Sequence, residues 1–105
     1  MADNRRTSTR HAVSLDASLA IDGAKRACTV MNLSLGGALV ATGERYRMGQ
    51  RVQIAFRVPS IEEQIEVGAT VRWSDDVATG IQFDGLRARE VWALNKFFEQ
   101  LPLAS

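Results

Sequence analysis

Three arginines crowd the N-terminal end of the chain, in Arg5-Arg6-Thr7-Ser8-Thr9-Arg10. A guanidinium is a flat five-donor fork that meets phosphate oxygens two at a time and can lie against a base. A second polar cluster, Asn32-Leu33-Ser34-Leu35-Gly36-Gly37, offers an amide, a hydroxyl and backbone donors. Each cluster alone has a plain reading. The first is a solvated basic tail. The second is a turn, in which Asn and Ser bond their own backbone and Gly supplies positive φ. Brought together, they would suit an anion with hydrogen-bonding edges, such as a nucleotide. Catalysis has weaker support. A nucleophile–base pair needs a Ser or Cys near a His, and the single histidine, His11, stands on the basic arm near Ser8. Glu62-Glu63 and Asp75-Asp76 are adjacent acids. Neighbours on a strand point to opposite faces, and acids in a turn are usually solvated, so neither pair reads as a carboxylate dyad. Cys28 and His11 are too few for a typical zinc site, and no glycine-rich phosphate loop is present. The expectation is a binding protein with no catalytic residues, no metal and no cofactor.

What could bring the clusters together is a hairpin. Val13, Leu15, Ala17, Leu19 and Ile21 alternate with mostly polar residues, as in a half-buried strand. Asp22-Gly23 follows, a strong two-residue turn signal because a type I′ turn needs positive φ. The return strand runs from Ala24 to about Met31, so residues 10 and 32 come back to the same end. Asn32 to Gly37 reads as a turn, Ala38 to Ala41 as a short strand and Thr42 to Gly49 as a polar loop. Three more alternating runs follow. Val52, Ile54, Phe56 and Val58 end at Pro59. Ile65, Val67, Ala69, Val71 and Trp73 lead to a tight turn at Ser74-Asp75-Asp76. Val77, Thr79, Ile81 and Phe83 complete the set. Short one-faced strands about 10 residues apart predict a small antiparallel barrel or sandwich. The period then changes. Leu94, Phe97, Phe98 and Leu101 form a helical stripe, with Asp84 or Gly85 as candidate cap and Pro102 as stop.

Composition sets the frame. With 105 residues and 46% apolar side chains, the chain suits one domain with its own core. No apolar run is long enough for a membrane helix. The start, MADNRRTSTRH, is polar and basic, so a cytoplasmic protein is expected rather than a secreted one. The net charge of +1 conceals a gradient: residues 1–57 hold nine basic and four acidic side chains, residues 58–105 four and eight. Of the 13 cations, 11 are Arg. The basic potential therefore sits in the half that carries both clusters. A single-stranded nucleic-acid-binding barrel would also use a basic arm, but the near-neutral total and the shortage of exposed strand aromatics argue against it. The helix could present Trp92, with Arg89 and Lys96 nearby, to a partner or a second copy; a docked helix with an incidental surface Trp is the plainer reading.

With these residues in place, the sequence resembles the PilZ family of bacterial receptors for cyclic di-GMP. That family carries R-x-x-x-R and, about twenty residues on, [D/N]-x-S-x-x-G. Here they stand as Arg6-Thr7-Ser8-Thr9-Arg10 and Asn32-Leu33-Ser34-Leu35-Gly36-Gly37. Val71-Arg72-Trp73 and Gly80-Ile81-Gln82-Phe83 are similar to the family's last two barrel strands. The resemblance implies a six-stranded antiparallel β-barrel over 12–84, a C-terminal α-helix over 86–101 and a flexible ligand-binding arm over 1–11. It implies that Arg6 and Arg10 grip the phosphates and a guanine, while Asn32, Ser34 and Gly37 hold the other side. Gly36 counts among the ligand-binding residues, with service to the turn alone as its plainer reading, and Trp73 is a candidate for lining the ligand with its ring. Arg5 implies an intercalated pair of cyclic di-GMP molecules rather than one. The implied partner is an effector protein that senses the arm as it orders, with the receptor a monomer or weak dimer. A family member blind to the ligand and working by contacts alone is the remaining alternative, against which the intact motifs argue.

Overall fold

The computed structural model describes residues 10–58 and 64–101. Six strands are present: β1 (His11–Ile21), β2 (Ala24–Leu33), β3 (Gly37–Ala41), β4 (Arg51–Phe56), β5 (Ile65–Ser74) and β6 (Ala78–Phe83). They close into an antiparallel barrel in the order β1-β2-β3-β6-β5-β4, and one helix, α1 (Ala88–Gln100), follows. The alternating runs left barrel and sandwich open. Pairing of β4 with β1, from Ala17 opposite Phe56 to Ala20 opposite Gln53, closes the ring.

The turn chemistry does what the residue types require. Asp22 and Gly23 both have positive φ, 51° and 85°, as a type I′ turn demands. The β5–β6 turn is held by the Asp75 carboxylate, which accepts the Val77 N–H at 2.8 Å and the Ala78 N–H at 2.9 Å. Those two backbone donors keep its pKa below the usual carboxylate range. Its neighbour Asp76 pairs instead with Arg45, 3.3 Å away.

Inside the ring, Leu19, Val30, Val40, Ile54, Phe56 and Val71 are fully buried. Side chains of this kind each stabilise the fold by roughly 1.5–3 kcal/mol through loss of apolar surface to water. Ala93, Leu94 and Phe97 of α1 are buried as well, and Leu86, Phe98 and Leu101 pack against the same core.

Several boundaries differ from the sequence reading: β3 starts at Gly37 rather than Ala38, β4 ends at Phe56 rather than Val58, and Ser74 belongs to β5 rather than to the turn. Four further differences have evident causes. The helix begins at Ala88 rather than 86, with Arg87 as its N-cap residue instead of Asp84 or Gly85. Asp84 is engaged elsewhere: its carboxylate accepts from Arg51 at 2.8 Å and Thr70 at 3.1 Å, and its N–H bonds the Gly68 carbonyl. The Glu90 carboxylate reaches back to the Arg87 N–H at 2.9 Å, stabilising the first turn. The first strand starts at His11, not Val13, because His11 pairs with Leu33 and its ring stacks on Phe98 at 4.0 Å. Asn32 and Leu33 still belong to β2, so the turn after it is shorter than expected. The last strand begins at Ala78, and Val77 remains in the turn. Arg5, Arg6 and the rest of the arm before Arg10, together with Glu62-Glu63, lie outside the described residues.

Candidate functional site

Three irregularities interrupt the ladders, and two of them, on β2 and β5, border one cavity. Between Ala12 and Leu15, β1 carries one residue more than β2. Between Val30 and Asn32, β2 carries Met31 with no counterpart on β3. Between Val71 and Trp73, β5 carries Arg72 with no counterpart on β6. An extra residue in a strand reverses the face of everything beyond it, because side chains alternate with a period of two. On β2 this sends Leu33 into the core, fully buried, and leaves half-buried Asn32 to line the cavity. On β5 it leaves Arg72 and Trp73 both exposed, although they are adjacent. Alternation had put Trp73 on the apolar face with Val71. The bulge turns it outward, and 44% of it is exposed.

The cavity measures about 400 Å³, within the range of small-ligand sites. Arg10, just before β1, lines it together with Asn32 near the end of β2 and with Ser34, Gly36 and Gly37 of the turn that follows. Trp73 lines it from β5, with Gly80 and Gln82 from β6. The structure therefore brings Arg10, Asn32, Ser34, Gly36, Gly37 and Trp73 around one space. The hairpin does this directly, since Ala12 stands opposite Asn32. Among the described residues that line the cavity, Arg10 and Arg72 are cationic and none is acidic. Such a space favours an anion.

Ser34 is buried, with 5% exposed, and closes the turn. Its hydroxyl accepts the N–H groups of Gly36 and Gly37, both at 3.1 Å, and donates to the Gly37 carbonyl at 3.3 Å. A hydroxyl has one hydrogen and two lone pairs, so this capacity is fully used in the turn. The Ser34 N–H adds a 2.9 Å bond to the same Gly37 carbonyl. Ser34→Ala is expected to cost about 1–3 kcal/mol, because two partly buried N–H groups lose their acceptor. Urea denaturation measures this; an unchanged midpoint would show that the turn stands without the hydroxyl.

Gly37 answers a demand for close approach. Its φ is not among the positive values, which fall at Asp22, Gly23, Gly43 and Gly49 among the described residues. A Cβ at Gly37 would lie 2.2 Å from the Ile81 carbonyl oxygen. Gly80 serves the aromatic. A Cβ there would lie 2.3 Å from Nε1 of Trp73, so the missing side chain lets the indole lie flat over the β6 backbone.

The sequence reading missed three of these residues as parts of a site. Gly80 was taken only as strand pattern. Arg72 and Gln82 also line the cavity, and the Arg72 guanidinium donates to Oε1 of Gln82 at 2.8 Å. The available signal was a Trp at the end of an apolar run facing a glycine in the next strand. Arg72 gave no signal, because regular alternation and a bulge look alike in sequence.

Comparison with known proteins agrees with this fold. Residues 4–100 match the family model described as PilZ domain. Among solved structures, the chain is similar to the Bacillus subtilis inhibitor of motility MotI/DgrA, with TM-score 0.73, 19% identity, and 93% of this chain and 54% of that one covered. It is similar to Borreliella burgdorferi PlzA, solved in complex with c-di-GMP, with TM-score 0.71, 22% identity, and 92% and 42% covered. It is also similar to the PilZ domain of CeSA from a cellulose-synthesizing bacterium, with TM-score 0.69, 16% identity, and 88% and 97% covered. The chain thus spans about half the length of the first two. A search of the curated proteins finds no significant match. Among the described residues, no helix is long and apolar enough to cross a membrane.

Proposed function

The chain belongs to the PilZ domain family, and from that premise we propose that it is a receptor for cyclic di-GMP that passes the signal to a protein partner. The observation that carries the reading is the one cavity shared by the end of the first motif, five of the six residues of the second and an outward-turned tryptophan. Arg6 and Arg10 grip the phosphates and a guanine. Asn32 offers its amide, and the backbone of the Ser34–Gly37 turn holds the opposite side. Ser34 acts through the turn it closes, and the Trp73 indole supplies a flat apolar face for a base. Arg5 favours an intercalated pair of ligand molecules, whose additional ring faces suit stacked guanidiniums.

Magnitudes support this assignment. Micromolar binding needs about 8 kcal/mol net, after an association cost of ~4–15 kcal/mol. Hydrogen bonds to charged groups contribute roughly 1.5–3 kcal/mol each, and with two per guanidinium three arginines supply about 9–18 kcal/mol, to which stacking adds. They must also offset ordering of the arm, at about 1–2 kcal/mol per residue. With His11 already paired in β1, the part of the arm left to order is 4–9, which is polar throughout and has no apolar anchor. The proposed response is its closure over the bound nucleotide, which changes the surface a partner meets.

Fluorescence tests the reading. In a Trp92→Phe background, Trp73 is the one remaining indole. Its emission is expected to change saturably as cyclic di-GMP is added. No change at high ligand would contradict a base against Trp73. Tight, salt-sensitive binding of a single-stranded oligonucleotide that the dinucleotide cannot displace would favour a nucleic-acid barrel instead.

A further inference from the structure

The geometry points to Arg72, held by Gln82, as the residue that makes this site select guanine over adenine. The inference rests on the receptor reading above and adds a reader of base identity that lies outside both sequence motifs.

Arg72 is the extra residue of the β5 bulge, so its side chain stands beside that of Trp73 instead of on the opposite face. Gln82 lies two residues along β6 from Gly80, over which the indole lies. Residues two apart on a strand share a face. A base resting on the indole would therefore present an edge toward the Arg72–Gln82 pair, which lines the same cavity.

The pair is oriented and has a definite polarity. Arginine has no acceptor, so the group of Gln82 facing Nη1 of Arg72 at 2.8 Å must be its carbonyl oxygen. One Nη1–H is thereby occupied, and the rest of the fork holds donors alone. The Gln82 amine adds two donors. An edge made of two acceptors matches this array, and guanine supplies one in O6 and N7. Adenine presents N7 with an N6 amine, which places a donor against donors. Phosphate would also accept from Arg72. Two observations favour the base. Arg72 is fixed by a side-chain bond from the neighbouring strand, and it stands next to the ring platform.

The experiment is a calorimetric and NMR titration of wild type, Arg72→Ala, Arg72→Lys and Arg10→Ala with cyclic di-GMP and cyclic di-AMP. Wild type is expected to prefer cyclic di-GMP. Arg72→Ala and Arg72→Lys are expected to lose affinity for it alike, roughly 10- to 100-fold, because Lys keeps the charge but not the fork. Their weak binding of cyclic di-AMP should be unchanged, whereas Arg10→Ala weakens both ligands. Recovery of cyclic di-GMP affinity in Arg72→Lys, or equal loss for both nucleotides in Arg72→Ala, would make Arg72 a phosphate contact and overturn the inference. Wild-type affinity in both Arg72 variants would overturn it too. In each case the receptor reading survives. Absence of cyclic di-GMP binding by wild type would overturn both.

Discussion

Gly37→Ala is expected to lower folding stability by about 3 kcal/mol or more, the largest effect of any conservative change near the site. The added Cβ would meet the Ile81 oxygen at 2.2 Å, and the Ile81 carbonyl carbon and Gln82 Cα at 3.2 Å. All three are backbone atoms, so no side chain can swing aside. The β3–β6 seam must part where Gly37 stands opposite Gln82. That movement also strains the bond from the Phe83 N–H to the Gly36 carbonyl, 2.9 Å long. Urea denaturation of wild type and variant measures the loss. A midpoint within error of wild type would show slack in the seam that the close approach denies. Gly80 makes a useful contrast. Its clash is with a side chain, the Trp73 indole, which can rotate away. Substitution there is therefore expected to disturb the cavity more than the barrel.

Arg10→Ala carries the other large effect, and on binding instead of folding. Arg10 is exposed and lines the cavity beside the second motif. Two charge-assisted hydrogen bonds to a phosphate contribute roughly 1.5–3 kcal/mol each. At 1.4 kcal/mol per tenfold, their removal is expected to weaken cyclic di-GMP binding about 100-fold or more. The melting temperature without ligand should barely change, since surface substitutions away from packed features stay within about 0.5 kcal/mol. A variant that binds as wild type does would remove the arginine from the site. One that melts much earlier would assign it a role in folding.

The strands, the type I′ hairpin and the helical stripe were legible because each rests on a short-range rule. Leu15 to Ile21 alternates as the burial of β1 requires, and Asp22-Gly23 has the residue types for positive φ. Proximity of Arg10 to Asn32 followed from hairpin geometry alone. What alternation could not reveal was the site's outward face. A bulge depends on the register of a partner strand, so Leu33 read as part of a polar turn although it is a fully buried core residue, and alternation alone grouped Trp73 with the apolar face although the resemblance made it a candidate to line the ligand. The helix start was missed for a similar reason. Asp84 has the residue type of a cap, but Arg51 and Thr70, distant in sequence, hold its carboxylate. Ser34 and Gly37 were legible through the motif as candidates, and both line the cavity. The folded chain adds that the hydroxyl closes the turn and that the missing Cβ admits the Ile81 carbonyl.

The most direct measurement is a calorimetric titration of the intact chain with cyclic di-GMP, repeated on Arg6→Ala and Arg10→Ala. Saturable binding at micromolar concentration or tighter is expected for wild type. Two ligand molecules per chain are expected from Arg5, with severe loss in both variants. A flat wild-type titration, or unimpaired binding by both variants, would contradict a cyclic di-GMP site in this cavity.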